Sequence, residues 1–171
     1  LIDRPLRPLF PKGFMDEVQI HLNVLAADQQ NDPDVLAGIG ASAAIAISDI
    51  PFTTPTAHVR IGRINNEFVI NPTQEQLEYS EFDLVVAGTK HYVNMIELGG
   101  REVEEDSVAD AIEFAHKAII EIVGMIEELQ GKAPKKEKVF EPKNPEPGYI
   151  DAIRTRVSDK IREVKSKPGK T

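Results

Sequence analysis

The sequence predicts an α+β fold, a sheet with packed helices, on the strength of three patterns. Two hairpin patterns lie in the middle of the chain, a smooth apolar helix precedes them, and a long amphipathic helix follows them. Strands that follow one another directly, with helices placed before and after, are typical of an α+β domain. The 171 residues suffice for one substantial core, or for one domain with an appendage.

A strand and a helix are expected first. Residues 15–27 alternate apolar and polar side chains, which predicts a half-buried strand with Val18, Ile20, Leu22 and Val24 on one face. A helix is expected after Pro33, with Asp32 or Asp34 as its cap. Its middle is crowded with small residues, which predicts close burial against a sheet: Ala37, Gly38, Gly40, Ala41, Ser42, Ala43 and Ala44.

Two hairpins are predicted next. The pair Asn65-Asn66 separates two short β-segments, and paired asparagines favour a tight hairpin turn. In the second hairpin, residues 84–87 are expected to form the first strand and residues 92–98 the returning strand. Together the two hairpins supply the strands of the expected sheet.

The long helix begins, by this interpretation, with Ser107 and Asp110 as a capping box and continues nearly to Gly131. A connector rich in proline and lysine follows, and then an amphipathic helix with the stripe Ile150, Ile153, Val157, Ile161 and Val164. We therefore expect one core domain over residues 1–131 and a linker with a first helix over residues 132–171. Because the sequence begins on Leu1 without a methionine, we also expect an excised piece of a longer protein.

Charge is divided along the chain. Residues 1–130 carry a net charge of −14 and residues 131–171 carry +6, giving −8 in all. An acidic body is a poor general binder of polyanions, so any contact with nucleic acid is expected to be local. The chain has no cysteine, which excludes disulfides and thiolate metal sites, and no apolar run long enough to cross a bilayer.

The arginines are the main chemical candidates. Arg4 and Arg7 are three residues apart, and in a helix they would share one face as a two-point clamp on phosphate. Ion pairs with nearby carboxylates are the alternative for them. Arg60 and Arg63 point to opposite faces of a strand, so they are weaker candidates for one clamp. The four histidines and the paired glutamates are interpreted as ordinary surface or core-edge residues, with no metal cluster.

Four blocks of sequence carry a family resemblance: LIDRPLRPLFPKGF, DPDVLAGIGASAAIAISDIPF, INPTQEQLEYSEFDLVVAGT and VNMIE. In this order and spacing they resemble the first RNase PH-like core domain of the bacterial polynucleotide phosphorylase family. The resemblance extends to about residue 130, and residues 131–171 look like the start of the helical domain that follows. It implies an RNase PH-like (ribosomal protein S5 domain 2-like) fold.

The family enzyme is a ring-shaped homotrimer that degrades RNA from its 3′ end, with inorganic phosphate as nucleophile and nucleoside diphosphates as products. It uses magnesium and also polymerises diphosphates in reverse. The resemblance therefore implies single-stranded RNA as a partner, membership of an RNA-degradation machinery, a cytoplasmic location and no membrane contact.

Family catalysis belongs mainly to the second core domain, which has a serine turn for phosphate and an Asp-x-Lys strand for acid and metal groups. Aligned on the tripeptide at residues 40–42, this chain has Asp32, Pro33 and Asp34 at the serine turn. It keeps Asp83 but has Val85 in place of the lysine. We therefore expect no catalytic and no metal-binding residue in this stretch.

The domain is expected to contribute to assembly of the ring and to help guide single-stranded RNA. Arg4 and Arg7 match family arginines, and they are the expected RNA-binding residues. The competing interpretations are a non-enzymatic RNase PH-like scaffold and a subunit of an exosome-type ring.

Overall fold

The computed structural model describes residues 1–146, 148–167 and 169 and divides the chain into two compact units. The first contains Leu1–Pro11 and Asp16–Phe140, and the second contains Lys12–Met15 and Glu141–Thr171. In chain order the elements are α1 (Asp3–Leu6), a 3-10 turn (Arg7–Leu9), α2 (Asp34–Ala46), β1 (Ala57–Ile64), β2 (Glu67–Ile70), α3 (Gln74–Glu78), β3 (Phe82–Gly88), β4 (Val93–Gly100), α4 (Glu105–Lys132) and α5 (Tyr149–Ser166).

The four strands form one antiparallel sheet in the order β2-β1-β3-β4. Both predicted hairpins are present. Asn65 and Asn66 have φ angles of 52° and 65°, the left-handed pair that a two-residue turn between twisted strands requires. Because β1 pairs with β3, each hairpin contributes one central strand, and the prediction of an α+β sheet with packed helices is confirmed.

Helix α4 covers one face of the sheet and forms the main core with it. Its buried residues Ala111, Ala115, Ile119 and Val123 contact alternate residues of the central strands: Ala57, Val59, Ile61, Phe82, Leu84 and Val86. The predicted capping box is wrong, since the helix begins at Glu105. The Ser107 hydroxyl instead accepts a hydrogen bond from Arg63 at 2.8 Å.

The opposite face of β1 meets α2 at close range. A Cβ atom added to Gly38 would lie 2.3 Å from the His58 Nδ1 atom, so only glycine lets the helix approach this ring. The His58 side chain is fully buried, and burial lowers its pKa. The small-residue prediction is therefore confirmed at Gly38 but wrong at Gly40, where an added Cβ atom would have no neighbour within 4 Å.

The expected strand over residues 15–27 does not form a ladder. Residues 17–28 run without a turn or bend, but they pair with no strand in the described part of the chain. Ile20, Leu22 and Val24 are 36%, 41% and 58% exposed. The alternation predicts an unbent backbone, which residues 17–28 have, whereas a strand also needs a neighbour for its hydrogen bonds, and no strand of the described part pairs with this segment.

The first unit continues past α4 to Phe140. The Lys138 ammonium donates to the carbonyls of Ala46 and Phe52, at 3.0 and 2.7 Å. The Ala46 carbonyl, at the end of α2, also accepts from Gln130 Nε2 at 2.9 Å. Burial lowers the pKa of Lys138. The predicted domain boundary after residue 131 stays a prediction.

The second unit contains α5, which has no buried residue. The helix follows Gly148, whose φ angle of 89° suits glycine. Within this unit the Lys143 amide also donates to the Gly13 carbonyl at 2.8 Å. The predicted amphipathic helix is thus present, with its aliphatic stripe exposed.

Substitution of the two neighbouring glycines of α2 is expected to have opposite effects. Gly38→Ala forces a Cβ atom into the His58 ring and should lower the free energy of unfolding by about 1–3 kcal/mol. Gly40→Ala meets open space and should raise it by about 0.5–1 kcal/mol, because alanine loses less backbone entropy in a helix. Urea unfolding of both variants measures the difference. Equal shifts in the same direction would contradict the tight contact with His58.

Candidate functional site

A buried arginine joins three separate parts of the chain. The Arg60 guanidinium donates to the Asp34 carboxylate at 2.6 Å and to the Asp83 carboxylate at 2.7 Å, and its Nη1 atom lies 3.3 Å from Asp32. The Arg60 side chain is only 9% exposed, while the three carboxylates are 27–43% exposed. We call these four residues the Arg60 cluster.

The backbone places these side chains together in a simple way. Arg60 lies opposite Val85, and Gly62 lies opposite Asp83, so Arg60 and Asp83 are diagonal neighbours on one face of the sheet. Asp34 opens α2, and its side chain also accepts the amide hydrogen of Val35 at 2.8 Å. A long side chain from β1 can therefore reach both the next strand and the start of the helix.

Electrostatics in the cluster are unbalanced, because one guanidinium faces three carboxylates. Burial raises the pKa of Asp83; Arg60 lowers it, and Asp34, Asp32 and Glu97 raise it further. Asp83 Oδ1 and Arg60 Nε are both buried without a hydrogen-bond partner among the described residues. The cluster therefore holds more negative charge than it neutralises.

This arrangement does not fit a magnesium site or a phosphate site. No group of three or more histidine, cysteine, aspartate or glutamate side chains suited to a metal occurs in the described part of the chain. The carboxylates of Asp34 and Asp83 already accept from Arg60, which takes the place of a bound cation. Phosphate would meet the surplus carboxylates, and Pro33 has no amide hydrogen to offer it.

Arg4 and Arg7 both lie at the surface in ion pairs. Arg4 donates to Glu97 at 2.8 Å, and Arg7 donates twice to Asp3, at 3.0 and 2.8 Å. The side chains of the two arginines are 57% and 77% exposed. The structure therefore shows the carboxylate partners that the sequence left as an alternative, and exposed pairs of this kind contribute only about 0–1 kcal/mol.

The Arg60 side chain is 9% exposed and donates to Asp34 and Asp83, so little of its guanidinium is open to RNA. Arg63 is engaged as well, with Glu81 at 3.2 Å and Ser107 at 2.8 Å. The different partners of Arg60 and Arg63 agree with their predicted opposite faces. Sequence reasoning missed the cluster itself; its sequence signal was an arginine between the aliphatic residues Val59 and Ile61 of a strand.

Removal of the Arg60 charge is expected to destabilise the fold, whereas removal of the Asp83 charge is not. Arg60→Met leaves three neighbouring carboxylates unpaired and should lower the free energy of unfolding by about 2 kcal/mol or more at pH 7. Asp83 has a raised pKa when folded, so its charge costs stability above that pKa. This cost disappears as the pH falls below about 3.8, the usual value.

Asp83→Asn keeps an acceptor for Arg60 and should therefore leave stability at pH 7 unchanged or higher. Urea unfolding of both variants at pH 7, with Arg63→Met as the matched arginine control, measures the effect. A stable Arg60→Met variant together with a strongly destabilised Asp83→Asn variant would contradict this account of the cluster.

Comparison with known proteins places this geometry in a family. Residues 1–51 match the family model described as 3′ exoribonuclease family, domain 1, and residues 54–118 match 3′ exoribonuclease family, domain 2. A crystal structure of rice (Oryza sativa) Rrp46 superposes with a TM-score of 0.52 over 59% of this chain and 48% of that chain. At 13% identity this match shows the shared fold alone.

Curated relatives extend the match along the chain. The polyribonucleotide nucleotidyltransferase of Heliobacterium modesticaldum is 46% identical over 99% of this chain, and that of Thermomicrobium roseum is 46% identical over 100%. The corresponding protein of Exiguobacterium sibiricum is 54% identical over 75% of the chain. The chain spans about a fifth to a quarter of these relatives, namely 24%, 22% and 18% of their lengths.

Both family models, placed one after the other, cover more than half of the chain and include the whole sheet, α1 to α3 and the first half of α4. The antiparallel sheet with its covering helices is accordingly an RNase PH-like fold. The chain belongs to the 3′ exoribonuclease family, and over nearly its whole length it resembles polyribonucleotide nucleotidyltransferases.

Proposed function

We propose that the chain is one core domain of a phosphate-dependent 3′-to-5′ exoribonuclease. In this reaction an oxygen of inorganic phosphate attacks the phosphorus of the 3′-terminal phosphodiester of RNA, and the bond from that phosphorus to the 3′ oxygen of the preceding nucleotide breaks. The terminal nucleotide is released as a nucleoside diphosphate, and the shortened RNA keeps a 3′ hydroxyl. The reverse reaction polymerises diphosphates. The proposal is supported by the family models and by the names of relatives that match the chain from end to end.

Within that enzyme, this domain has a structural and guiding role and takes no part in the chemistry. The observation that carries this point is Arg60, which occupies the carboxylates of Asp34 and Asp83 where phosphate or a metal would have to be held. Magnesium and the phosphate that attacks are then bound by other residues of the longer enzyme. The main core, formed by α4 and the sheet, supplies a rigid body for assembly into a homotrimeric ring.

RNA guidance is assigned to Arg4 and Arg7. Their side chains are more than half exposed, and so are the side chains of their present carboxylate partners. An RNA phosphate can therefore replace Glu97 or Asp3 at little cost, because a surface ion pair is weak and a phosphate accepts the same paired donors. We extend the proposal to a cytoplasmic enzyme that works on single-stranded RNA with other RNA-degrading proteins. No helix among the described residues is long and apolar enough to span a membrane.

The isolated chain is expected to have no phosphorolytic activity. Incubated with poly(A), inorganic phosphate and magnesium, it should release no ADP above background, because it lacks a place for the attacking phosphate. The full-length enzyme of Heliobacterium modesticaldum is the positive control in the same assay. Robust ADP release by the chain would contradict the role given to the Arg60 cluster. If a longer protein carrying this chain also fails to release ADP, the result would favour the non-enzymatic scaffold over the exoribonuclease.

If Arg4 and Arg7 contact RNA, some substitutions should weaken the binding of poly(A) and others should tighten it. Arg4→Gln and Arg7→Gln should each weaken poly(A) binding and reduce the slope of log K against log salt by about 0.7. Glu97→Gln and Asp3→Asn remove the competing carboxylates and should tighten binding. Fluorescence anisotropy with labelled oligo(A) over a range of salt concentrations measures both effects. Unchanged affinity and slope in all four variants would show that these arginines do not contact RNA.

A further inference from the structure

A β-bulge interrupts the pairing of β3 with β4. On either side of it, the facing pairs are Ala87 with Met95 and Gly88 with Val93. Asn94 is therefore an extra residue of β4, without an opposite residue on β3. Glycine is needed at position 88, because an added Cβ atom would lie 2.7 Å from a backbone carbonyl oxygen just before β4. A bulge of this kind changes the direction in which a strand presents its side chains.

The bulge changes the side of the sheet to which Asn94 points. Side chains alternate along a regular strand, so Asn94 would share the face of Ile96 and lie on the other face from Glu97. Instead, Asn94 Nδ2 donates to the Pro5 carbonyl at 2.8 Å. The Glu97 carboxylate accepts from Arg4, also at 2.8 Å. The extra residue thus lets two side chains of β4, three positions apart, contact the same short helix α1.

The sequence around Pro5 explains why an outside donor is useful there. Pro5 is fully buried, and a buried carbonyl without a hydrogen-bond donor is costly. In the 3-10 turn that follows α1, the usual donor to the Pro5 carbonyl would be the amide three residues on. That residue is Pro8, which has no amide hydrogen. The Asn94 side chain supplies a hydrogen that the local backbone lacks at this position.

The contacts of α1 determine where its arginines point. Pro5 and Leu6 are buried, and Leu6 packs in a small core with α2, whereas Arg4 and Arg7 on either side are exposed. A helix turns by about 100° per residue, so a change in which carbonyl faces β4 would redirect both guanidinium groups. A single helical turn has little stability of its own, and contacts from other elements must therefore fix its rotation.

We propose that Asn94 is a positioning residue for RNA: through the Pro5 carbonyl it fixes the rotation of α1 and so aims Arg4 and Arg7 at RNA phosphates. The inference rests on the proposed function, because it takes RNA contact by these two arginines as given. Glu97 cannot have this role in the complex, since a phosphate that binds Arg4 displaces it. The bond from Asn94 goes to a backbone carbonyl, for which phosphate does not compete, and it persists when RNA is bound.

Substitution of Asn94 tests the proposal in the 171-residue chain. Asn94 Oδ1 has no partner among the described residues, so Asn94→Leu removes one known hydrogen bond at similar volume. Fluorescence anisotropy with labelled oligo(A) should show a Kd that is about threefold to tenfold higher. Asn94→Gln keeps an amide donor and should retain more affinity than Asn94→Leu.

The matched control is Asn31→Leu. Asn31 is also half-buried, and its Nδ2 atom donates to the carbonyls of Asn71 and Pro72, at 3.0 and 3.3 Å. The control therefore removes the same kind of amide-to-carbonyl bond in another part of the fold, and it should leave the Kd for oligo(A) unchanged. Circular dichroism and urea unfolding verify that each variant is folded under the conditions of the titration.

A double-mutant cycle separates positioning from a general loss of stability. In a chain that carries both Arg4→Gln and Arg7→Gln, the further change Asn94→Leu should cause no additional loss of affinity, because the side chains that it aims are gone. In the otherwise unchanged chain, Asn94→Leu should reduce the slope of log K against log salt towards that of the double arginine variant.

The bulge itself is tested by a pair of glycine substitutions. Gly88→Ala places a Cβ atom against the backbone just before β4 and should weaken the binding of oligo(A) in the same way as Asn94→Leu. Gly99→Ala changes the same strand pair at a position where an added Cβ atom has no neighbour within 4 Å, and it should leave the Kd unchanged.

The outcomes distinguish this inference from the proposed function. If Arg4→Gln weakens binding and Asn94→Leu does not, the positioning role is overturned while RNA contact by the arginine stands. Equal losses from Asn94→Leu with and without the arginines, or equal losses from Asn94→Leu and Asn31→Leu, would also overturn it. If neither arginine substitution weakens binding, the proposed RNA contact is wrong and the inference is wrong with it.

Discussion

The arrangement of this domain depends on how one arginine is neutralised inside it. Arg60 projects from a central strand into a place that excludes nearly all water, where an isolated guanidinium would be very costly. Three aspartates from two other parts of the chain offset that cost. By binding Asp34 at the start of α2 and Asp83 on β3, Arg60 fixes the helix against the sheet. The remaining negative charge of the three carboxylates repels anions from the same site.

The two faces of the sheet consequently differ in character. Towards α4, alternate aliphatic residues of β1 and β3 build an ordinary apolar core. Towards α2, the same strands present His58 and Arg60, and a glycine at position 38 is needed for the helix to approach. The first face stabilises the fold through burial of apolar side chains, while the second face holds the ion pairs of the Arg60 cluster.

Much of the fold could be predicted because its signals are local. The Asn65-Asn66 turn, the apolar alternation of the hairpins and the helical spacing of α4 each concern residues close in sequence. Local signals are not enough for residues 17–27, because alternation predicts an extended chain but does not show whether a partner strand lies beside it. The start of α4 was misplaced because the Ser107 hydroxyl, a plausible cap in sequence, binds Arg63 in space.

The sequence by itself determined the four strands of the sheet and the helices α2, α4 and α5, the order of the two hairpins, the division of charge along the chain and the family resemblance. Only the tertiary structure decided which carboxylates meet which arginines: Asp83 and Asp34 with Arg60, Glu97 with Arg4 and Asp3 with Arg7. Except for Asp3 and Arg7, these partners lie 23 to 93 residues apart. The reason is physical: a charge is neutralised by whatever lies within a few ångströms, and strand register and helix packing, rather than local spacing, set those distances.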